Sequence, residues 1–352
     1  MKAPLEAAPE ADAYPGAPHP RAAARLVGHG AAETEMLESF RSGRLPHAWL
    51  IGGQEGIGKA TLAWRFARFV LAHPDPSAPA TQAAVDLSVD ASHPAAKLLA
   101  SHAHPDFSTL RRRWEPKGKR FYGEIRVDDV REGLALFRLA PAFNGFRVAI
   151  VDAADELNRS GANALLKLIE EPPTRSLILI LAHRPGQVLP TIRSRCRRIL
   201  LDPLSPAQIV EIVGGLGQPW SKAGAAKITE SAARAGGSVR EALRRLDPET
   251  AEVGAAIDAA VAQLPRTDSR VVHRLAEVVA ARGADDAYEA LLRAMFDALT
   301  SRARDDFAPA RLEAIAGLWD RLRATARESE ALNLDRRLTV LSLFQEFAGA
   351  GI

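Results

Sequence analysis

The chain has 352 residues, of which 47% are apolar and 25% charged, with a formal net charge of +3 and a single cysteine, Cys196. That length and balance suit a soluble protein of two or three domains with enough chain for sizeable cores. They exclude an internal disulfide and any multi-cysteine zinc site. No apolar run reaches the ~20 residues of a membrane span, and the first residues lack the hydrophobic segment of a signal peptide. The expectation is a reduced, cytoplasmic protein with no membrane partner. A pI of 9.2 allows contact with nucleic acid without requiring it.

In chain order, residues 1–24 hold Pro4, Pro9, Pro15, Pro18 and Pro20 among alanines and are expected to be a disordered tail. A helix is predicted over 33–43, a buried strand over 48–52 and an amphipathic helix over 61–71. Residues 74–103 are rich in Pro, Ala and Ser, with room for one short helix. Two strands, 107–114 and 120–127, are expected to pair through the turn at 115–119. A helix over 128–138, a strand over 148–151, a helix over 161–170 stopped by Pro172-Pro173, and a strand over 177–181 follow. Short continuous apolar strands alternating with helices predict an α/β fold with a parallel sheet covered on both faces. Past Pro203 only helices are expected, at 206–213, 221–235, 239–246 and onward. The implied parts are a tail (1–24), an α/β domain (25–202), a small helical lid (203–248) and an all-α C-terminal domain (249–352).

The segment Gly53-Gln54-Glu55-Gly56-Ile57-Gly58-Lys59-Ala60 matches the phosphate-binding pattern G-x-x-x-x-G-K-[ST] at every fixed position but the last. It lies between a predicted strand and a predicted helix, the context that turns a glycine-rich match into a P-loop. In a working loop the backbone N–H groups cradle phosphates, the lysine reaches their oxygens and the hydroxyl ligates Mg²⁺. Gly53, Gly56, Gly58 and Lys59 keep the cradle, whereas Ala60 cannot bind metal. Thr61 is turned roughly 100° further round the helix and is a poor substitute. The strand Val148–Val151 ends in Asp152, the place of a carboxylate that holds Mg²⁺ through its shell. The next position, where ATPases of this class carry a glutamate that orients water, is Ala153. Two separate losses make ATP or ADP binding weak or vestigial and hydrolysis an unexpected task. No nucleotide is required, and no metal site is expected.

After the last predicted strand comes Ile192-Arg193-Ser194-Arg195-Cys196-Arg197-Arg198. A Ser-Arg-Cys tripeptide in this place resembles the clamp-loader branch of the AAA+ proteins. Leu45-Pro46-His47-Ala48-Trp49-Leu50, His104-Pro105-Asp106-Phe107 and the run from Asn163 to Pro173 are similar to the bacterial DNA polymerase III clamp loader. The resemblance covers about residues 25–246. It implies a P-loop AAA+ domain, a lid and a helical collar for oligomerisation. Arg195 would be an arginine finger given to a neighbour's ATP site, a role worth about 10³–10⁵ in rate. Arg240, at the start of a helix that Ser238 can cap, would lean from the lid toward nucleotide phosphates. An impaired P-loop beside an intact Ser-Arg-Cys resembles the delta prime type of subunit rather than the ATPase (tau/gamma) or delta types. The implied partners are tau/gamma, delta, the sliding clamp and primer-template DNA through the complex. Many delta prime chains carry zinc-binding cysteines where this one has residues 74–103, so no zinc is expected here.

Two other readings stay open at this level. One is an active AAA+ ATPase using Lys59. The other is a DNA-binding module using Arg111-Arg112-Arg113, Lys117, Lys119 and Arg120, with Trp114 and Tyr122 interleaved. The apolar positions Leu275, Val278, Val279, Leu291, Leu292, Met295 and Leu299 recur at helical spacing and read first as packing.

Overall fold

A computed structural model of the chain describes residues 9–118, 120–281, 284–305, 307–332 and 334–352. Two compact units result, one ending at Leu243 and the other running from Arg244 to Ile352. In the first, α1 (Gly30–Arg41) leads to β1 (Ala48–Gly52), α2 (Lys59–Ala72), α3 (Pro79–Ala83), α4 (Pro94–Ala100), β2 (Phe107–Leu110), β3 (Trp114–Glu115) and β4 (Arg120–Phe121). Then come α5 (Val127–Gly133), β5 (Arg147–Val151), α6 (Arg159–Glu170), β6 (Ser176–Ala182), α7 (Pro190–Arg193) and β7 (Arg197–Leu200). Helices α8 (Pro206–Gly215), α9 (Ala225–Arg234) and α10 (Val239–Leu246) follow.

The main sheet has five strands in the order β2-β5-β6-β1-β7, and every adjacent pair is parallel. Its central strands are buried on both faces, which is why they read as unbroken apolar runs. Side chains alternate between two cores. Trp49, Ile51, Val148, Ile150, Leu177, Leu179 and Leu181 pack with α1 and α2. Ala48, Leu50, Ala149, Val151, Ile178 and Ile180 pack with α5, α6 and α7. Helix α6 shows how sequence sets the fit. Asn158 caps its start by accepting from Gly161 N–H at 2.7 Å. Ala162, Leu165 and Ile169 then fall on one buried stripe, and Pro172 prevents continuation.

Several expectations change in the structure. Residues 107–110 leave the predicted hairpin to join the parallel sheet beside β5. Among the described residues, the antiparallel pairing is confined to Trp114–Glu115 and Arg120–Phe121. Strand β7 was not predicted, because its burial is confined to Ile199 while Arg197, Arg198 and Leu200 are exposed. Residues 74–103 hold two short helices, α3 and α4.

Of the expected disordered tail, residues 1–8 lie outside the described residues, and 9–24 are docked. Arg68 donates to the carbonyls of Ala23 (3.3 Å) and Arg21, and Arg65 to that of Ala24. Arg111 pairs with Glu10 at 3.0 Å and with Asp12 at 2.5 Å. These partners lie far along the chain, so a local Pro/Ala composition could not reveal them.

The expected lid, 203–248, belongs up to Leu243 with the sheet. Leu204 N–H donates to Gly237 C=O at 3.1 Å, and Val239 N–H donates to Gly56 C=O at 2.9 Å. A Cβ on Gly237 would stand 2.4 Å from Pro203 Cβ, so only glycine permits this approach.

The second unit contains α11 (Pro248–Ala262), α12 (Ser269–Val279), α13 (Asp285–Asp305), α14 (Pro309–Ala331) and α15 (Arg336–Ala350). Its core includes Leu275, Val279, Leu291, Met295, Leu299, Leu343 and Phe347. Val278, on the same predicted stripe, is instead exposed. Among the described residues no helix is long and apolar enough to cross a membrane.

Phe66, fully buried, meets Trp49 edge-on at 6.2 Å. Phe66→Ala is expected to lower the unfolding free energy of the first unit by about 3–5 kcal/mol, measured by urea titration of tryptophan fluorescence.

Candidate functional site

Strand β1 delivers the P-loop to the carboxyl edge of the sheet, where open α/β proteins bind ligands. Gly53, Gly56 and Gly58 all have positive φ, at 144°, 78° and 106°. A Cβ on Gly53 would approach Leu201 O to 2.7 Å, and one on Gly56 would meet Ser238 Oγ at 2.3 Å. Lys59 opens α2 and is 3% exposed. Its ammonium donates to the carbonyls of Gly53 at 2.8 Å and Gln54 at 2.6 Å. Burial pulls its pKa down to about 8, against the pull of Asp152, Glu55 and Asp155. Ala60 packs on the core, and Thr61 lies one residue further into α2, partly buried.

Asp152 follows β5, and its N–H is held by Leu110 C=O at 2.8 Å. Burial, then the charge of Asp12, lifts its carboxyl to about 7. Asp155 accepts from the N–H groups of His183 at 2.9 Å and Arg184 at 3.1 Å, which commits it to capping the end of β6. Glu156 pairs with Arg112 at 2.9 Å, yet burial raises its carboxyl to about 7. Neither is placed as a free base for water.

The lid closes over this loop. Gln54 Nε2 donates to Gly236 C=O at 2.8 Å, and Arg240 pairs with Glu55 at 3.3 Å. So Gly53, Gly56, Gly58, Lys59 and Arg240 are brought together, with Asp152 at the end of β5. Strand β6, which carries His183 at its end, runs between β1 and β5. His183 was not singled out from sequence. Burial and then the Lys59 charge push its ring down to about 4, and Nδ1 lacks a hydrogen-bond partner. The available signal was a histidine directly after a seven-residue buried strand.

A nucleotide with Mg²⁺ does not fit these residues as it would a working loop. The hydroxyl ligand is missing at Ala60, Lys59 is turned onto loop carbonyls, and Asp152 is desolvated. No hydrolytic step can be assigned to them.

Arg195 lies elsewhere. It immediately precedes Cys196 and β7, which runs parallel to β1, so it stands at the amino edge of the sheet. The P-loop is at the carboxyl edge, separated from it by at least the length of β7, about 13 Å for four residues at ~3.3 Å each. Arg195 is exposed, pairing with Glu170 at 3.0 Å and donating to Thr191 C=O at 3.1 Å. Cys196 is half-buried, and burial raises its thiol to about 11, an unreactive setting.

The four arginines of the basic hairpin are each paired with carboxylates of the same chain. Arg112 pairs with Glu156, Arg113 with Asp129 and Glu132, and Arg120 with Glu115. Arg111 is engaged by Glu10 and Asp12, while Lys119 lies outside the described residues.

Fold and site together define a P-loop α/β protein with an altered nucleotide site and an outward-facing arginine. The profile of the family described as DNA polymerase III, delta subunit, matches residues 28–205, and the chain belongs to that family. DNA polymerase III subunit delta' of Pseudomonas aeruginosa is 35% identical over 150 residues, 43% of this chain and 41% of that one. Its Escherichia coli counterpart is 31% identical over 170 residues, 48% and 46% of the two chains. The gamma/tau subunit of Mycobacterium bovis is 32% identical over 182 residues, 50% of this chain and 28% of that one. The chain thus aligns with less than half the length of these relatives.

The raised Glu156 carboxyl has a direct consequence for stability. Its folded pKa lies above its ordinary value of 4.5, so the folded state binds the proton more tightly and loses stability as pH rises from about 4.5 to about 7. Glu156→Gln is expected to cut that loss, on the order of 1–3 kcal/mol. Urea midpoints of both proteins at pH 5 and pH 7.5 measure it.

Proposed function

We propose that this chain is a delta-prime-type subunit of a bacterial clamp loader. It acts as a non-hydrolysing stator that lends Arg195 to the ATP site of a neighbouring tau/gamma-type subunit and helps place the sliding clamp on primer-template DNA. The carrying observation is the position of Arg195, exposed at the sheet edge opposite its own P-loop. A guanidinium there cannot reach the nucleotide cleft of its own chain. It is preset by Glu170 and the Thr191 carbonyl, so little rotamer freedom remains to be lost on docking.

The altered cleft supports the same reading. Ala60 and Ala153 remove a metal ligand and a base position, and Asp155 and Glu156 are otherwise engaged. The collar role belongs to 249–352, with delta as a further partner. Exposed Val278, Phe307, Leu332, Leu334 and Leu338 supply apolar surface suited to subunit contact. No zinc and no nucleotide are required, and DNA is reached through the assembly, since the arginines of the 111–120 hairpin are spent on carboxylates. A protein so used works in the cytoplasm.

Two measurements test this. With ATPase subunit, delta, clamp and primed DNA present, Arg195→Ala should slow ATP turnover at the served site by about 10³-fold or more and slow clamp loading with it. The variant's own stability should change by less than about 1 kcal/mol, because the Glu170 pair is exposed. An unchanged rate would remove the finger role. Separately, the isolated chain should release no phosphate from ATP above buffer, with or without DNA; turnover abolished by Lys59→Ala would instead mark an active ATPase.

A further inference from the structure

The segment from Glu10 to Ala24 crosses the carboxyl edge of the sheet. At one end Arg111, just past β2, holds Glu10 and Asp12. His19 also reaches both carboxylates, at 3.1 Å each, and Arg21 pairs with Glu10 at 2.5 Å. In the middle, Asp12 is close enough to Asp152 for its charge to hold that carboxyl up. On the other side the segment meets the lid. Tyr14 packs edge-on against Trp220 at 5.7 Å, and the Arg240 guanidinium stands 5.7 Å from the Tyr14 ring. Trp220 Nε1 donates to Gly16 C=O at 3.0 Å. A Cβ on Gly16 would touch the Trp220 ring at 3.6 Å. Beyond it, the carbonyls of Arg21, Ala23 and Ala24 are tied to Arg65 and Arg68 of α2, the helix that the P-loop begins.

These contacts connect the two walls of the cleft. Arg111 and Asp152 belong to the sheet, while Trp220 and Arg240 belong to the lid, which already touches Gly56. A nucleotide entering the P-loop would need the lid to lift and Arg240 to turn from Glu55 and Tyr14 toward phosphate. Asp12 is itself held by Arg111 and His19, so the segment is anchored at the sheet side of the cleft.

We propose that residues 10–24 are a built-in strap that pins the lid to the sheet and keeps nucleotide out of the P-loop cleft. On this view the loss of the hydroxyl at Ala60 is not the main barrier to binding. The loop keeps its cradle, and the chain's own N-terminal segment keeps it closed. The inference rests on reading residues 53–60 as a retained P-loop but not on the role of Arg195.

The test uses the isolated chain and a fluorescent ADP analogue, so failure of the strap and failure of the finger are separable. Full-length protein is compared with an Asp12→Asn/Tyr14→Ala double variant and with a deletion of residues 1–18, each checked for its thermal transition. If the strap leaves the cleft open less than about a tenth of the time, releasing it should tighten ADP binding by about tenfold or more. Lys59→Ala in the released background should abolish the gain. Equal affinity in the folded double variant and the full chain would overturn the proposal. Hydrogen exchange on the unaltered protein gives a second readout that does not depend on the deletion folding. Millimolar ADP should speed exchange of the Ala13 and Ala17 amides, which are bonded within the strap to Glu10 and Tyr14 carbonyls. ADP binding that leaves those amides as protected as before would equally overturn it.

Discussion

The parallel direction of the five strands is the constraint on which the rest depends. Because β1, β5 and β6 share one direction, whatever follows each of them arrives at the same edge. The P-loop after β1, Asp152 after β5 and His183 after β6 therefore face one cleft. Whatever precedes a strand arrives at the other edge, and Arg195 precedes β7. One geometric rule thus places the P-loop and Arg195 at opposite edges of a single sheet. It holds only because the central strands are buried on both faces, which in turn needs the two helical layers above and below.

The cleft that results is closed by interactions that leave little for a ligand. The Lys59 ammonium, which would serve phosphate, serves Gly53 and Gln54. Arg240 serves Glu55. Burial favours the protonated form of Asp152 and Glu156, whereas Asp12 is held charged by its partners Arg111 and His19. Altered metal ligation, a lysine turned inward and a strap across the mouth all point one way. They reach that outcome through different physical terms: coordination chemistry, desolvation and packing.

Much of this was legible in the sequence. The strands at 48–52, 148–151 and 177–181, the helix at 161–170 and the P-loop context all carry strong local signals, namely unbroken apolar runs, a capping Asn158 and paired prolines. The parallel sheet followed from them. What could not be read depended on distant partners. Residues 9–24 look unstructured because their carbonyls and carboxylates are satisfied by Arg65, Arg68 and Arg111, far along the chain. Strand β7 was hidden because only Ile199 along it is buried. The 107–114 segment looked like half of a hairpin because local turn chemistry at 115–119 masked its parallel pairing with β5. His183 was missed because a histidine after an apolar strand gives no pattern by itself.

The contact between Gly56 and the lid changes how a glycine-rich motif should be interpreted. At Gly56 the space for a Cβ is already taken by Ser238 and the backbone of Arg240, with no phosphate involved. Any other residue there would be penalised by packing and by its positive φ, even in a descendant that had long ceased to meet a nucleotide. Ala60, partly buried against the core in helical backbone, faces no such restriction on φ. At Gly56 the motif therefore marks a joint between two pieces of backbone as well as the shape of a phosphate cradle.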